Sequence, residues 1–203
     1  SPSFEVLIID NGSADEATWE FYRSLEADRR IRLLEAPGKF NFSRLCNQAA
    51  AEARGRVLVF LNNDTVVTQP DWLSRLACWT DRPGIGVVGA KLLYPSGRLQ
   101  HCGLVLGLGG LAAHIDAGEP GDQPGYLGRR DTPHEVAAVT GACLAVTRAH
   151  FDSVGGFDGE GFPVELGDVD FCLRLGERGL RTVVATDVVL VHHESASRGR
   201  GRR

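Results

Sequence analysis

The chain has 203 residues, of which 43% are hydrophobic and 24% charged, the balance of one soluble globular domain with a sizeable core. Its formal net charge of −4 argues against nucleic-acid binding as the main task. No apolar run reaches the roughly 20 residues that cross a bilayer, although a brief peripheral contact with a membrane is compatible with this composition.

In chain order, FEVLIID at 4–10 reads as a buried strand ending in a turn at 10–13. Ser13 followed by Glu16 predicts a capping box and a helix to about residue 28, burying Trp19, Tyr22 and Leu25 or their neighbours. IRLLEA at 31–36 is a second strand. After Pro37-Gly38, an alanine-rich helix is predicted over 42–54, with Ser43 near its start and Gly55 as its C-cap. VLVFL at 57–61 is a continuous apolar strand, Pro70 opens a further helix, and IGVVGA at 85–90 returns to the sheet. Strand–helix alternation of this kind predicts an α/β domain with helices on both faces of a mostly parallel sheet.

The second half is less regular. A hairpin is expected around Pro95-Ser96-Gly97. Residues 107–135, rich in Gly, Pro and Asp, read either as a mobile loop over a site or as a disordered insertion. Residues 136–148 are apolar enough for a buried strand, broken at Gly141, and a short helix and turn follow it. A helix over 168–179, closed by Gly179, precedes the last strands at 181–193; the basic end at 197–203 is read as a solvated tail. The five cysteines (Cys46, Cys78, Cys102, Cys143, Cys172) are isolated and lack zinc-type spacing, so buried free thiols in a reducing cytoplasm are expected. With Ser1 almost directly on a strand and no methionine present, the chain is expected to be part of a longer polypeptide.

Three polar clusters fall at element ends, where α/β proteins build sites: FLNNDT at 60–65, ELGDVDFCLRL at 165–175 and VHHES at 191–195. Asn62-Asn63-Asp64 can be a plain turn, but Asp64 at the end of a buried strand needs solvent or a cation, and a divalent ion bridging it to a diphosphate meets that need. Of Asp168 and Asp170, one suits a helix cap, leaving the other free for chemistry. Glu165 adds a third acid, and clustered carboxylates suit a general base. Strand alternation sends His192 and His193 to opposite sides, so one of them can reach a metal shared with Asp64. Asp10 and Asn47 are expected at the same sheet edge, and Arg198 could pair with a phosphate.

The words IIDNGSAD, FNFSRLCNQAA, FLNNDT, TGACLAVTR with VGGFD, GDVDFCLRL and HHESASRG stand in the order found in family 2 glycosyltransferases, and the chain resembles that family from about residue 4 to 200. The closing HHESASRG is most like bacterial surface-polysaccharide enzymes, rhamnosyltransferase-like members included. The resemblance implies the GT-A fold, an α/β/α sandwich forming a single domain over 1–203, with a nucleotide-binding half at 1–90 and an acceptor and catalytic half at 91–203. It further implies inverting transfer from a nucleotide-diphosphate sugar to a hydroxyl of a glycan or lipid-linked saccharide, assisted by Mg²⁺ or Mn²⁺, in the cytoplasm or at the inner face of the membrane.

By the same resemblance Asp168 is the catalytic base and Asp64 the metal ligand, with His192 or His193 completing the metal shell. Asp10, Asn47, Asn62, Asn63 and Arg198 attend the nucleotide and donor. Gly141, Ala142, Glu165 and Asp170 lie near the donor sugar or acceptor. Three departures stand out: Asn62 replaces the first acid of Asp-x-Asp, Gly167 replaces the Glu of Glu-Asp, and the family's opening strand is not in this sequence. The alternatives are a catalytically degenerate glycan- or nucleotide-binding module, motivated by Asn62 and Gly167, and a sugar nucleotidyltransferase, for which no glycine-rich basic phosphate loop is visible.

Overall fold

The computed structural model describes residues 3–108 and 110–193. The first half runs β1 (Val6–Asp10), α1 (Glu16–Leu25), β2 (Ile31–Glu35), α2 (Phe42–Glu52), β3 (Val57–Leu61), β4 (Thr65–Val67), α3 (Trp72–Thr80) and β5 (Ile85–Leu93). The second half runs β6 (Leu99–His101), β7 (Leu104–Leu106), β8 (Ala112–His114), β9 (His134–Val136), β10 (Cys143–Thr147), α4 (Arg148–Ser153), α5 (Gly167–Gly176) and β11 (Arg181–His192).

β1 and β2 form a parallel pair, while the main sheet has the order β3-β10-β5-β11-β4, with β6 on β5 and β9 on β11. The sheet corrects the expectation of mostly parallel pairing. Among the described strands only β1–β2 and β5–β11 pair in parallel, because β10 threads antiparallel between β3 and β5 and short strands add antiparallel around β5 and β11. β3, β5 and β11 still share one direction. Both halves of the sequence, 1–90 and 91–203, contribute strands to this one sheet.

β10 shows how the sandwich is coded. Leu144 and Val146 enter a core with Phe60, Phe151, Phe157 and Phe171, under α2, α4 and α5; Cys143 and Ala145 face the other way, toward Leu76 of α3. On that second face small residues (Ala90, Ala145, Ala185) leave room for Trp72 and Trp79. Every cysteine among the described residues is free; Cys102, Cys143 and Cys172 are buried, and Cys78 is exposed. Burial pushes the Cys143 and Cys172 thiols up to about 12, which makes them inert packing groups.

Three local expectations change. Ser13 does not cap α1, whose N-cap is Asp15; the Ser13 hydroxyl and N–H both donate to the Asp10 carboxylate instead. A buried acid at a strand end takes the nearest donors first. Trp19, Tyr22 and Leu25 are half-buried rather than core. Helix α2 is capped by Asn41, which accepts from the Arg44 N–H, and ends at Ala53 rather than Gly55. Its last carbonyls are satisfied by the Arg148 guanidinium, which donates to Ala50 (3.0 Å), Ala53 (2.6 Å) and Gly55 (3.2 Å). A cation at the helix C-terminus makes a left-handed glycine unnecessary there.

The 107–135 stretch carries structure of its own: β8, a 3₁₀ turn at Tyr126–Gly128 and the start of β9. Asp116 binds the guanidinium groups of both Arg129 and Arg130, and the buried Lys91 ammonium donates to the Arg130 carbonyl at 3.0 Å. Ionic cross-ties between distant residues leave no periodic trace in the sequence, which is why this stretch reads as irregular.

Candidate active site

The site begins where β3 ends. Chain reversal at 62–65 is closed by the Thr65 N–H on the Asn62 carbonyl (3.2 Å), and β4 then pairs with the end of β11, with Thr65 opposite His192. That register delivers the His192 ring to the turn. Its Nε2 lies 2.9 Å from Asp64 Oδ1 and 3.3 Å from Asn62 Nδ2. His193, one residue on, is exposed, and its backbone N–H donates to the Asp64 carbonyl at 2.9 Å. Alternation therefore separates the two rings as expected, and it is His192 that meets Asp64.

The other face of the His192 ring is held by Gln100 on β6. Nδ1 lies 2.8 Å from Gln100 Oε1, and the Gln100 Nε2 donates to the His192 carbonyl at 3.4 Å. An amide oxygen only accepts, so Nδ1 carries a hydrogen and Nε2 is the ring nitrogen that faces Asp64. An acceptor nitrogen 2.9 Å from a carboxylate oxygen requires positive charge between them, either a second ring proton or a cation. The Thr65 Oγ1, buried at this turn, has no hydrogen-bond partner among the described residues. One carboxylate oxygen and one imidazole nitrogen fit a Mg²⁺ or Mn²⁺ that completes its shell with diphosphate oxygens and water. No group of three or more His, Cys, Asp or Glu side chains suited to a metal occurs among the described residues, so the ligand set is a partial one.

The second element is Asp168, in the first turn of α5. Its Oδ2 accepts the Gly141 N–H at 2.8 Å and its Oδ1 the Val169 N–H at 2.9 Å. The next residue, Ala142, accepts the Asn62 N–H on its carbonyl at 3.0 Å. Buried Gly141 and Ala142 are thus a two-residue bridge between the Asp64–His192 cluster and Asp168. A Cβ at Gly141 would stand 3.3 Å from the Phe42 ring and 3.7 Å from the Asp168 Cβ.

Leu166 sets the angle at which α5 starts, with φ of 62° in the left-handed region. The segment before it is pinned by α2. The Asn41 amide donates to the Gly159 carbonyl, Ser43 Oγ to the Phe162 carbonyl at 2.6 Å, and Asn47 both donates to and accepts from the Phe157 backbone at 2.8 and 2.9 Å. Asn47 therefore braces the loop that leads to Asp168. Asp10 is likewise engaged: its buried carboxylate accepts from Gly12, Ser13 and Tyr22. Burial alone would raise this carboxyl, but the bonds from Ser13, Gly12 and Tyr22 outweigh it and hold the group below its ordinary value. It is an anion organising its own turn.

Asp170 is paired to Arg174 at 2.8 Å, and Arg174 also donates to the Val154 and Gly156 carbonyls, so this acid fixes the same loop from below. Glu165 and Asn63 are exposed, and Arg198 lies outside the described residues. The reading from sequence passes over Gln100 and Lys91. Two polar residues, Gln100 and His101, between Leu99 and Cys102 in a segment that turns out fully buried were the available signal.

Residues 1–155 match the family model Glycosyl transferase family 2. The chain belongs to that family. It is 44% identical to the protein y4gI of Sinorhizobium fredii and 41% identical to the O-antigen biosynthesis protein RfbC of Myxococcus xanthus, each over 97% of this chain. It spans only 22% and 15% of those two relatives. It is 28% identical, over 96% of its length and 68% of the relative's, to an N-acetylglucosaminyl-diphospho-decaprenol L-rhamnosyltransferase of Mycobacterium tuberculosis. Among solved structures it superposes on a mannosyltransferase of Pyrobaculum calidifontis in complex with GDP-Man and Mn²⁺ (TM-score 0.67, 19% identity, 96% of this chain and 49% of that one). It also superposes on GalNAc-T7 with UDP, GalNAc and Mn²⁺ (TM-score 0.72, 15% identity, 93% and 37%). The fold of this family 2 domain is GT-A.

Proposed function

We propose that this family 2 domain is the catalytic unit of an inverting glycosyltransferase that moves a sugar from a nucleotide-diphosphate donor to a hydroxyl of a glycan or lipid-linked saccharide. The observation that carries the reading is the bridge at 141–142, which ties Asp64 and His192 to Asp168 through hydrogen bonds of Asn62 and Gly141. The Mycobacterium relative, named for N-acetylglucosaminyl-diphospho-decaprenol, supports a lipid-linked acceptor, and the RfbC relative supports surface-polysaccharide assembly. No helix among the described residues is long and apolar enough to cross a membrane.

Asp64 Oδ1 and His192 Nε2 would hold the divalent cation, which supplies positive charge beside the leaving diphosphate. Asn62 is retained as a polar neighbour of that pair through its amide. Asp168 accepts the acceptor's hydroxyl proton as that oxygen attacks the anomeric carbon from the face opposite the leaving group, and the bond to the Gly141 N–H fixes the angle of its carboxylate. Gly141, with no side chain, lets the Phe42 ring and Asp168 pack close against the bridge.

Gly167, where the family usually has Glu, follows from packing: a Cβ there would lie 2.7 Å from Ser43 Oγ. The acid assigned as the base, Asp168, is kept, and it is this residue that favours a working enzyme over a degenerate binding module. Release of nucleoside diphosphate from a panel of nucleotide sugars, using the full-length protein and Mn²⁺, tests the reading. Release that depends on Asp168 supports it, whereas donor binding without turnover for every sugar would favour the binding module.

A further inference from the structure

Strand β6 is three residues long, yet it touches both parts of the site. Gln100 faces His192, while His101 accepts the Thr140 N–H on Nε2 at 3.4 Å, next to the bridge at 141–142. Gln100 is 4% exposed and lies 92 residues from His192 in sequence, and its amide meets the histidine twice, at the ring and at the backbone carbonyl. The two contacts agree on one amide orientation, with oxygen on Nδ1–H and nitrogen on the carbonyl. The consequence reaches the opposite ring nitrogen, which faces Asp64 and Asn62.

We propose that Gln100 is a positioning residue of the transfer reaction, holding His192 in the Nδ1–H tautomer so that the Nε2 lone pair stands ready beside Asp64 for a divalent cation. The proposal rests on the reading that Asp64 and His192 hold that cation. An imidazole with a fixed acceptor on Nδ1–H cannot swing away or present the wrong nitrogen, and the acceptor strengthens the ring as a donor. A glutamine does this without placing a second charge in a buried strand, where an acid would have to be desolvated.

The test is Mn²⁺ binding to the full-length protein, followed by electron paramagnetic resonance, with electron spin-echo modulation reporting the coupling of a histidine nitrogen to the metal. Gln100→Met keeps the volume and removes the acceptor. It is expected to weaken Mn²⁺ binding by ~10–100-fold and to reduce the nitrogen coupling. Gln100→Glu keeps an acceptor for Nδ1–H and gives up the donor to the His192 carbonyl, so it is expected to retain the histidine nitrogen coupling that Gln100→Met reduces; a residue that only fills space would leave the coupling in the Met variant no lower than in the Glu variant.

A folded Met variant with wild-type affinity and coupling overturns the proposal. If that variant does not fold, a folded Glu variant that has lost the histidine nitrogen coupling overturns it instead. His192→Ala separates the levels. If it abolishes affinity and coupling while Gln100→Met changes neither, only the role of Gln100 falls. If His192→Ala changes neither, the metal reading fails and this proposal fails with it.

Discussion

At the scale of single residues, the polar side chains of the proposed site divide into those that perform chemistry and those that hold them. On the proposed function, Asp168 belongs to the first group. Asp168→Asn keeps the Gly141 N–H bond through its amide oxygen and loses the base, so transfer should fall by roughly 10²–10⁴-fold while donor affinity is unchanged. Turnover of a nucleotide sugar at wild-type rate would remove Asp168 from this role. Gly167 sits at the boundary between the groups. Restoring the family's usual acid with Gly167→Glu should lower stability by about 1–3 kcal/mol, because the new side chain meets Ser43 Oγ at 2.7 Å and the Phe162 carbonyl at 3.3 Å. Urea unfolding measures this, and an unchanged midpoint would show that the α2–α5 contact yields easily.

At the scale of elements, α2 is a brace for the loop ahead of α5. Asn47→Ala removes two bonds to Phe157 and should cost about 2 kcal/mol in urea unfolding. If Asn47 touched only the nucleotide, stability would not change. Much of this was legible in the residues: the strands at 6–10, 31–35 and 57–61, the break at Gly141, and alternation that parts His192 from His193 all follow from local pattern. The pairing of β10 between β3 and β5 was not, because alternation marks faces but not neighbours. Neither was the bracing of residues 157–162 by Asn41, Ser43 and Asn47, whose partners lie more than a hundred positions away. The motif around Asn47 is visible in sequence as family likeness, yet its bonds are structural. Ser13 misleads for a related reason: Asp10 competes for its hydroxyl and wins.

For the whole molecule, the contact of buried His101 with half-buried His114 predicts that stability depends on pH. His101 is fully buried, with Nδ1 at 2.9 Å from the His114 Nδ1. Burial first, and His114 second, push His101 well below its ordinary value of 6.5. A histidine with a lowered folded value binds fewer protons in the folded than in the unfolded state once pH drops below 6.5. Its stabilising contribution is therefore present above 6.5 and is lost progressively as pH falls, with a slope approaching ~1.4 kcal/mol per pH unit. Unfolding midpoints between pH 7 and 5 should fall in the wild type and fall less in His101→Gln. Equal slopes would place the acid sensitivity elsewhere. Because β6 also carries Gln100, acid conditions should loosen the site before the rest of the sheet.

The central claim is that Asp64 and His192 form the metal half of a donor site whose other half is Asp168. Calorimetric titration of the full-length protein with a panel of nucleoside diphosphates, with and without Mn²⁺, addresses it most directly. At least one nucleotide should bind more tightly with Mn²⁺, and that gain should vanish in Asp64→Ala and persist in Asp168→Asn. Affinity that rises with Mn²⁺ as much in Asp64→Ala as in the wild type would contradict the account.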